Sequence, residues 1–423
     1  MLSTLRNAWK VPELRKRFLW TIFLVAIFRI GIHIPVPGID TSYLSSMTNS
    51  GGLLGFYNLI SGGALSKFSI FALSVSPYIN ASIIVQLLTI AIPSLEQLSK
   101  EGEEGRNKIQ SITRYASIAI GFVLAIGIYS MIAAQGAATG LSSAQKVVVL
   151  IALVVGSTFC MWLGDQITQK GFGNGVSILI FVNIVSQLPT TLMSLFTLKE
   201  AGEITIIEIA LFLVGTLALL VFTIYFSLAE RRVPIQYAGK AVGTKVMRGQ
   251  STHIPLSLIG SAVIAIIFAM SVMMFPETIA NFFPTKGWSK WILTSPYSIF
   301  NKSTWMYPVC YAVLTVFFTW FYTQITFKPD EMAENLHKSA GFVPGIRPGE
   351  ATEKYFEKLL TKVSIIGGLF AAFLAVTPIL VGKYISGVQF GGTSLLILIG
   401  VALDFSRQLD SQLVMRHYDG FLK

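Results

Sequence analysis

Charged residues are scarce in this 423-residue chain: Asp, Glu, Lys and Arg together make up 13% of it, whereas 53% of the residues are hydrophobic. A soluble protein of this length needs far more polar side chains to cover its surface. The sequence has two cysteines, Cys160 and Cys310, and both lie within hydrophobic runs, so we expect no disulfide framework. The composition therefore predicts an integral membrane protein.

Signatures of catalysis and of metal binding are missing as well. The stretch GKAVGTK lacks the upstream glycine and the spacing of a phosphate-binding loop, and GFGNGV joins two hydrophobic runs rather than a strand and a helix. The histidines are scattered without the spacing of a metal site, at His33, His253, His337 and His417. We therefore expect no enzyme activity, no cofactor and no metal.

Ten hydrophobic segments are long enough to cross a membrane, which takes about 20 apolar residues. Backbone groups find no hydrogen-bonding partner in lipid, so we expect each segment to be a helix. The segments run approximately over 18–34, 68–92, 114–134, 146–168, 174–196, 206–228, 257–275, 305–327, 359–382 and 391–412. The expected fold class is an all-α integral membrane protein with ten transmembrane helices.

The distribution of lysine and arginine sets the orientation. With the N-terminus inside, roughly 24 of the 32 basic residues fall on the cytoplasmic side and about 7 fall outside. The positive-inside rule therefore predicts that both termini are cytoplasmic, and that the net charge of +11 mainly reflects topology. A nucleic-acid-binding patch is the weaker interpretation of the same charge.

Two expected cytoplasmic loops, about 229–256 and 328–358, are unusually long. The second contains a helix-like stretch, DEMAENLHK, and then a turn fixed by proline and glycine, GFVPGIRPGE, which exposes Arg347. Stiffened long loops usually have a function, although composition alone favours a solvated linker equally. Residues 1–17 are basic and amphipathic, which suggests binding to anionic phospholipids, and residues 413–423 are expected to form a cytoplasmic tail.

The stretch FYNLISGGALSK, at positions 56–67, is apolar but too short to cross a bilayer. Its length suits a re-entrant element beside the second segment. An interfacial helix on the outer surface is at least as good an interpretation from these residues alone.

Four long motifs follow one another along the chain: FSIFALSVSPYINASIIVQLLT, MWLGDQITQKGFGNGVSILIF, GFVPGIRPGE and FGGTSLLILIGVALDF. Together they resemble the SecY family, the channel subunits of bacterial protein-secretion translocons, and the resemblance covers nearly the whole chain. It implies a passive channel in the bacterial plasma membrane that translocates signal-bearing polypeptides and releases transmembrane segments laterally into lipid. It also implies two pseudo-symmetric inverted halves around a central pore, 18–200 and 201–412, which the five-plus-five count of segments permits.

The resemblance assigns a plug and a pore ring. The plug is a re-entrant helix at about 55–67 that closes the outer mouth, and its residues are Phe56, Tyr57, Leu59, Ile60, Gly62, Gly63 and Leu65. The ring lies at mid-membrane and consists of Val75, Ile79, Val176, Ile180, Ile267 and Ile397. Such an apolar ring resists wetting and so holds back ions, yet has no polar group to retain a polypeptide. From the residues alone, aliphatic side chains at this spacing usually face lipid or neighbouring helices.

A lateral gate is implied between the second and seventh segments. Asn80 and Gln86 are expected to hydrogen-bond across it when it is closed, although ordinary contacts between helices explain these amides equally well. In the seventh segment the chain departs from the family's KVN…GVIP pattern, because Ile259 stands near the asparagine position and Ala265 replaces the proline. This departure makes an amide contribution from that side doubtful and predicts a more tightly closed gate at rest.

The two long loops are implied to dock the SecA motor ATPase or the ribosome with its nascent chain. The docking residues are Arg347, Arg231, Arg232 and Lys240, of which Arg231 and Arg232 suit anchoring at lipid headgroups slightly better. Arg347 in GIRPG matches the arginine on which motor-driven transport depends in the family. Further implied partners are small SecE-like and SecG-like membrane subunits, signal peptides and secretory precursors, and the proton-motive force is implied as a further energy source.

Two polar residues near the ends of segments have structural interpretations. Asn174, in the GNG turn, is expected to cap the fifth helix. Arg29, in the outer third of the first segment, is expected to extend its guanidinium towards the lipid headgroups.

Two other functions stay open. One is an accessory member of the same family devoted to a few exported proteins; the intact GIRPG loop favours the general form, but the altered seventh segment leaves the question open. The other is a ten-span secondary transporter for a small solute. The spans lack buried carboxylates, and the ionisable midplane groups that coupled transport requires are therefore missing.

Overall fold

The computed structural model describes residues 9, 11–37, 39, 58, 61–134, 142–200, 202, 204–237, 241–242, 245–246, 251–260, 262–282, 286–301, 304–384 and 392–419. Five of the predicted functional residues lie outside this described part, namely Phe56, Tyr57, Leu59, Ile60 and Lys240.

The first half of the chain contributes six helices. These are α1 (Pro12–Gly31), α2 (Ser76–Ala91), α3 (Pro93–Lys100), α4 (Glu103–Ala134), α5 (Ser143–Lys170) and α6 (Gly175–Glu200). The helices α2 and α3 are bent by 101° at the break between them, where Pro93 begins the second helix. Proline cannot donate the hydrogen bond that would continue α2, which explains why the helix ends there.

The second half contributes seven helices and five strands. The helices are α7 (Ile206–Leu228), α8 (Ala262–Phe282), α9 (Gly287–Thr294), α10 (Met306–Phe327), α11 (Pro329–Lys338), α12 (Glu350–Tyr384) and α13 (Gly392–Asp419). The strands are β1 (Glu230–Tyr237), β2 (Ala241–Val242), β3 (Lys245–Val246), β4 (Ser251–Ser257) and β5 (Gly341–Phe342).

Ten of these helices overlap the ten predicted membrane segments: α1, α2, α4, α5, α6, α7, α8, α10, α12 and α13. Within the described residues, six helices are long and apolar enough to cross a membrane, or up to seven if the bent pair α2 and α3 forms one span. The prediction of a multi-pass helical membrane protein is therefore confirmed. A count of ten crossings stays a prediction.

The helix of the second predicted segment begins at Ser76 rather than near residue 68. Residues 61–75 form consecutive turns instead, and both Phe68 and Ser74 have left-handed backbone conformations, with φ of 42° and 48°. Amides in this stretch donate to carbonyls three residues earlier, for example from Ser74 to Phe71 at 2.8 Å. The predicted start was wrong because hydropathy alone does not distinguish a buried series of turns from a helix.

The two long loops fold together into one unit that the prediction of an all-α protein missed. The strands lie in the order β4-β1-β5, so β5 of the second loop pairs with β1 of the first. Side chains from both loops and from the start of α12 form a hydrophobic core, which comprises Val233, Ile235, Leu256, Ala333, Leu336, Val343, Phe356 and Leu360. We call β1, β4, β5, α11 and residues 350–360 the β platform. A shared core is not a property of a solvated linker, so that interpretation is wrong for these residues.

We expect the β platform to unfold locally when its core is truncated. Phe356 is fully buried in it, and Phe356→Ala should cost about 3–5 kcal/mol. Limited proteolysis of the detergent-solubilised chain should then cut within residues 229–257 faster than in the parent protein. Lys354→Ala is the control, since Lys354 forms an exposed ion pair with Glu350. Cuts confined to residues 328–360 would mean that the two loops fold separately.

Candidate functional site

An apolar cluster at the centre of the bundle receives side chains from both halves of the chain. We call it the central cluster, and its buried members are Leu24, Phe28, Ile32, Ala64, Phe71, Val75, Cys160, Leu163, Ile167, Ile178, Leu179, Ile180, Ile184, Leu395 and Ile397. Three of the predicted ring residues belong to it, Val75, Ile180 and Ile397, and two more, Ile79 and Val176, pack against it half-buried. The structure thus brings five of the six ring residues together.

The sixth predicted ring residue, Ile267, is half-buried in α8 and is not part of the central cluster. Val263, one helical turn earlier, packs against the cluster from α8 instead. Sequence reasoning missed Val263 because every residue in the stretch AVIAIIF is apolar, so no periodicity marks the face that turns inward. The assignment of a pore ring to these residues stays a prediction.

A cavity of about 330 Å³ lies between the two halves on the side of the β platform. Its polar lining includes Asn174, Asp404 and Arg407, which come from the start of α6 and from α13. Ile178 and Val263 line the same cavity and also belong to, or pack against, the central cluster. The cavity therefore ends on the apolar cluster.

On the other side of the central cluster lies the part of the predicted plug that the structure describes. Residues 61–65 are buried, and Ala64 is a member of the cluster. Asn58 organises the turn, because its carbonyl accepts from the Gly63 amide at 2.8 Å and its Oδ1 accepts from the Ser66 amide at 2.9 Å. The segment is thus a compact turn held by its own hydrogen bonds.

Polar side chains of α1 and α6 form a seat for this turn. Arg29 Nη1 donates to Ser186 Oγ at 2.9 Å. A Cβ atom placed on Gly62 would collide with Asn183 Oδ1 and lie 2.8 Å from Arg29 Nη1, and one on Gly63 would lie 2.9 Å from the Gln187 amide nitrogen. The prediction that Arg29 extends to the headgroups was wrong, because its guanidinium instead points between α1 and α6.

A polar contact joins α2 and α8 across the seam between the two halves. Ser271 Oγ donates to Asn80 Oδ1 at 3.3 Å, so Asn80 lies where a lateral gate was predicted. Gln86 does not reach the seam. It is exposed and donates to Ser82 Oγ of its own helix at 3.4 Å, so the expectation of a bond across the seam was wrong for Gln86.

Ser271 was missed by sequence reasoning, although it is a hydroxyl within a long apolar run. Ile259, which stands near the family's asparagine position, is buried just before α8 and packs with Ala262 and Ile266. Ala265 is fully buried. The polar contribution of the seventh segment therefore comes from a different turn of the helix than expected.

Two carboxylates are more buried than the sequence suggested. Asp165 is buried and forms an ion pair of 2.7 Å with Arg114, and Gln110 donates to the same carboxylate at 3.3 Å. One side-chain oxygen of Glu277, in α8, is also buried. The expectation that the spans lack buried carboxylates was wrong, but the charge of Asp165 is balanced by an adjacent arginine that ties α4 to α5.

The predicted docking residues that the structure describes lie on the β platform. Arg347 is exposed at the tip of the GFVPGIRPGE turn, and its carbonyl accepts from Thr352 Oγ1 at 2.8 Å. Near this tip, Lys354 donates to Glu350, and this contact lowers the pKa of the Glu350 carboxyl.

Arg231 and Arg232 are exposed in β1 rather than at the end of a helix. Arg232 Nε donates to Glu230 at 2.8 Å, which leaves its other guanidinium nitrogens accessible on the sheet. Asn174 behaves as predicted, since its Oδ1 accepts from the Ser177 amide at 3.2 Å at the start of α6.

An apolar groove of about 430 Å³ runs between α1, α6 and α13, so that both halves contribute to it. Its lining comprises Phe18, Thr21, Ile22, Val25, Ile178, Phe181, Val182, Val401, Ala402, Phe405, Ser406 and Leu409. The groove lies at a second contact between the halves, where the rings of Phe172 and Phe405 meet at 4.9 Å.

The seat of the turn allows a direct test. Gly62 and Gly102 both have left-handed conformations, with φ of 68° and 82°, but a Cβ on Gly102 would meet no atom within 4 Å. Both alanine substitutions therefore carry a backbone cost of roughly 1–2 kcal/mol, and Gly62→Ala adds an overpacking cost of about 1–3 kcal/mol. The exposure of the buried Cys160 thiol to a reactive dye on heating measures unfolding. The temperature of unfolding should therefore fall further for Gly62→Ala than for Gly102→Ala. Equal decreases in this temperature would show that the polar seat does not confine the turn.

Comparison with known proteins agrees with this arrangement. A family model described as SecY matches residues 69–406. The protein translocase subunit SecY of Halalkalibacterium halodurans is 40% identical over 443 aligned residues, which cover 100% of both chains.

Solved structures share the fold. A protein-conducting channel superposes with a TM-score of 0.68 at 19% identity, over 97% of both chains. Canine Sec61, from a ribosome–channel complex of the endoplasmic reticulum, superposes with a TM-score of 0.63 at 18% identity, also over 97% of both chains. The family model and the identity to a full-length relative together show that this chain belongs to the SecY family of protein translocase subunits.

Proposed function

We propose that this chain is the protein-conducting channel of a bacterial plasma membrane, with both termini in the cytoplasm. One observation carries the proposal: the cavity and the central cluster lie between the halves, and the buried turn of the first half packs against the same cluster. Ile178 and Val263 connect the cavity to the cluster, and Ala64 connects the cluster to the turn. A chain entering from the β platform side meets a polar vestibule, then an apolar constriction, then a displaceable turn.

The constriction works because its side chains are aliphatic. A narrow apolar passage resists wetting, so ions meet a barrier that does not depend on a charged gate. Val75, Ile79 and their neighbours carry no hydrogen-bonding group, so they pack around an extended polypeptide without bonding to it. The turn at residues 61–65 acts as the plug that seals the resting channel on its far side.

The seam between α2 and α8 acts as the lateral gate. The hydrogen bond between Ser271 and Asn80 holds the two halves together at one point, and a neutral pair of this kind contributes about 1 kcal/mol. A hydrophobic signal helix that inserts at the seam replaces this bond with apolar contacts. A gate held this weakly opens in response to a modest binding energy.

The channel has no catalytic groups of its own in this proposal, and its energy comes from partners and from the proton-motive force. The β platform offers Arg347, Arg231 and Arg232 to a motor ATPase of the SecA type or to a ribosome with its nascent chain. Lys240, which lies in the same loop as Arg231 and Arg232, is a fourth proposed docking residue. The ribosome-bound state of the canine structural relative supports the second partner.

Small membrane subunits and lipid complete the assembly. The apolar groove between α1, α6 and α13 suits a SecE-like helix, because such a helix bridges both halves on the side away from the gate. A SecG-like subunit is a further expected partner. Basic residues at the start of α1 suit anionic phospholipids of the inner leaflet.

Crosslinking tests the channel directly. In a chain with Cys160 and Cys310 replaced by serine, a cysteine at Ile79 or Ile397 should crosslink to a secretory precursor arrested midway through export. The crosslink should require the signal sequence of the precursor and ATP for the motor. The matched control is a cysteine at Val221, which is 65% exposed on α7 and faces away from the central cluster. Crosslinks of equal strength at Val221, or none at Ile79 and Ile397, would exclude a central path.

A second test addresses the gate. Ser271→Ala removes the donor to Asn80, and the loss of about 1 kcal/mol should favour the open gate several-fold. Motor-driven export of a precursor with a defective signal sequence should therefore increase. Ser82→Ala is the control, since Ser82 accepts its bond from Gln86 within the same helix. Unchanged export in Ser271→Ala would mean that apolar packing alone keeps the gate closed.

A further inference from the structure

A segment rich in exposed aromatic residues connects α8 to α10 on the face opposite the β platform. We call residues 286–301 together with Thr304 and Trp305 the aromatic segment. It contains three of the seven tryptophans of the chain. The exposed fractions are 45% for Trp288, 55% for Trp291, 80% for Tyr297 and 69% for Trp305. Exposing rings of this size would be unfavourable if the loop were surrounded by water.

The aromatic segment is held in a defined conformation by its own serines. Ser289 is buried, and its hydroxyl donates to the carbonyl of Ala280 in α8. Ser298 is also buried and donates to the carbonyl of Ile292 at 2.8 Å. The segment is therefore a built surface that is attached to the end of α8.

The helix α9 separates its tryptophans from its lysine. Trp288 and Trp291 are three residues apart and share one face, whereas Lys290 lies on another, and Lys286 immediately precedes the helix. At roughly 100° per residue, Lys290 lies about 130° from the middle of the tryptophan face, and the buried Ser289 faces the protein. This is the arrangement of a helix that lies in the plane of a membrane interface.

The charge of this region is one-sided. Residues 286–305 contain three lysines, Lys286, Lys290 and Lys302, and no Asp or Glu. On a face where the positive-inside rule predicts few cations, such an excess calls for an anionic partner. Phosphate groups of lipids provide one at the depth where tryptophan and tyrosine are enriched.

The lipid-facing surface of the bundle leads directly to this segment. Val272 and Phe275 of α8 are 44% and 67% exposed, and Val309 and Val313 of α10 are 50% and 63% exposed. These side chains lie within roughly four helical turns of the aromatic segment along the chain, so the lipid-facing surface leads up to the aromatic residues.

We propose that the aromatic segment is a membrane anchor whose partner is the phospholipid headgroup layer on the face opposite the β platform. Trp288 and Trp291 lie at the boundary of the acyl chains, and Lys286 and Lys290 bind phosphates, with a preference for anionic lipids. Because Ser289 bonds α9 to Ala280, the anchor fixes the end of α8 at headgroup depth. The proposal requires only that the chain lies in a bilayer, so it stands or fails independently of the channel function.

Depth-dependent quenching of tryptophan fluorescence tests this anchor in the full-length chain. The chain is reconstituted in phosphatidylcholine vesicles whose acyl chains carry bromine near the carbonyl end or near the methyl end. The contribution of α9 is the difference between the parent and the variant Trp288→Phe/Trp291→Phe. We expect bromine near the carbonyl end to quench the fluorescence of Trp288 and Trp291 more than bromine near the methyl end does. Iodide in the water should quench this fluorescence little. Trp162→Phe, which removes a half-exposed tryptophan within α5, reports the response of a spanning helix.

The lysines are tested in the same vesicles with and without phosphatidylglycerol. Phosphatidylglycerol should increase the quenching of the α9 tryptophans at low salt, and Lys286→Gln/Lys290→Gln should lose this increase. An equal increase in the glutamine variant would overturn the assignment of the lysines to anionic headgroups. Strong quenching by iodide, without quenching by brominated lipid, would overturn the anchor as a whole and indicate a surface for a protein partner.

Discussion

Every backbone amide and carbonyl inside a bilayer must find a partner within the protein, and this constraint determines how the centre of the molecule is built. Residues 61–75 are not helical, yet they lie inside the helix bundle. They are possible there because successive turns satisfy their own amides and because α1, α5 and α6 enclose them. The packing against α5 is so close that a Cβ on Gly156 would collide with the Ile70 carbonyl. An irregular chain can thus move relative to its surroundings without exposing polar groups to lipid.

The halves are joined differently along their two contacts. Near the groove, the rings of Phe172 and Phe405 pack with their centroids 4.9 Å apart and their planes tilted by 56°. At the seam between α2 and α8, the described polar contact is the single long bond between Ser271 and Asn80. The contact at Phe172 and Phe405 is apolar and suits a hinge. The contact at Ser271 and Asn80 loses only one weak hydrogen bond when α2 and α8 separate, so it suits an opening.

Sequence reasoning predicted the elements that depend on hydropathy and missed those that depend on contacts between distant residues. Ten apolar segments each became a helix, because length and polarity alone determine a span. The β platform was missed because its core forms only when β5 meets β1, across about a hundred residues of chain. Similarly, nothing local distinguishes Ile267 from Val263, or Ser271 from a serine facing lipid. The family resemblance predicted a role for Asn80 between the second and seventh segments, whereas only the folded chain shows that Asn80 contacts Ser271.

The β platform also determines which parts of the molecule can move as one body. It is continuous with α7 and α8 through β1 and β4, and with α10 and α12 through α11 and β5. The amide of Leu258 donates to the Ala229 carbonyl, and Gly367 of α12 packs so closely on Leu258 that a Cβ would not fit. These contacts connect the exposed Arg347 to four helices, including the one that carries Ser271. None of these contacts involves α2, which meets α8 through the bond between Ser271 and Asn80.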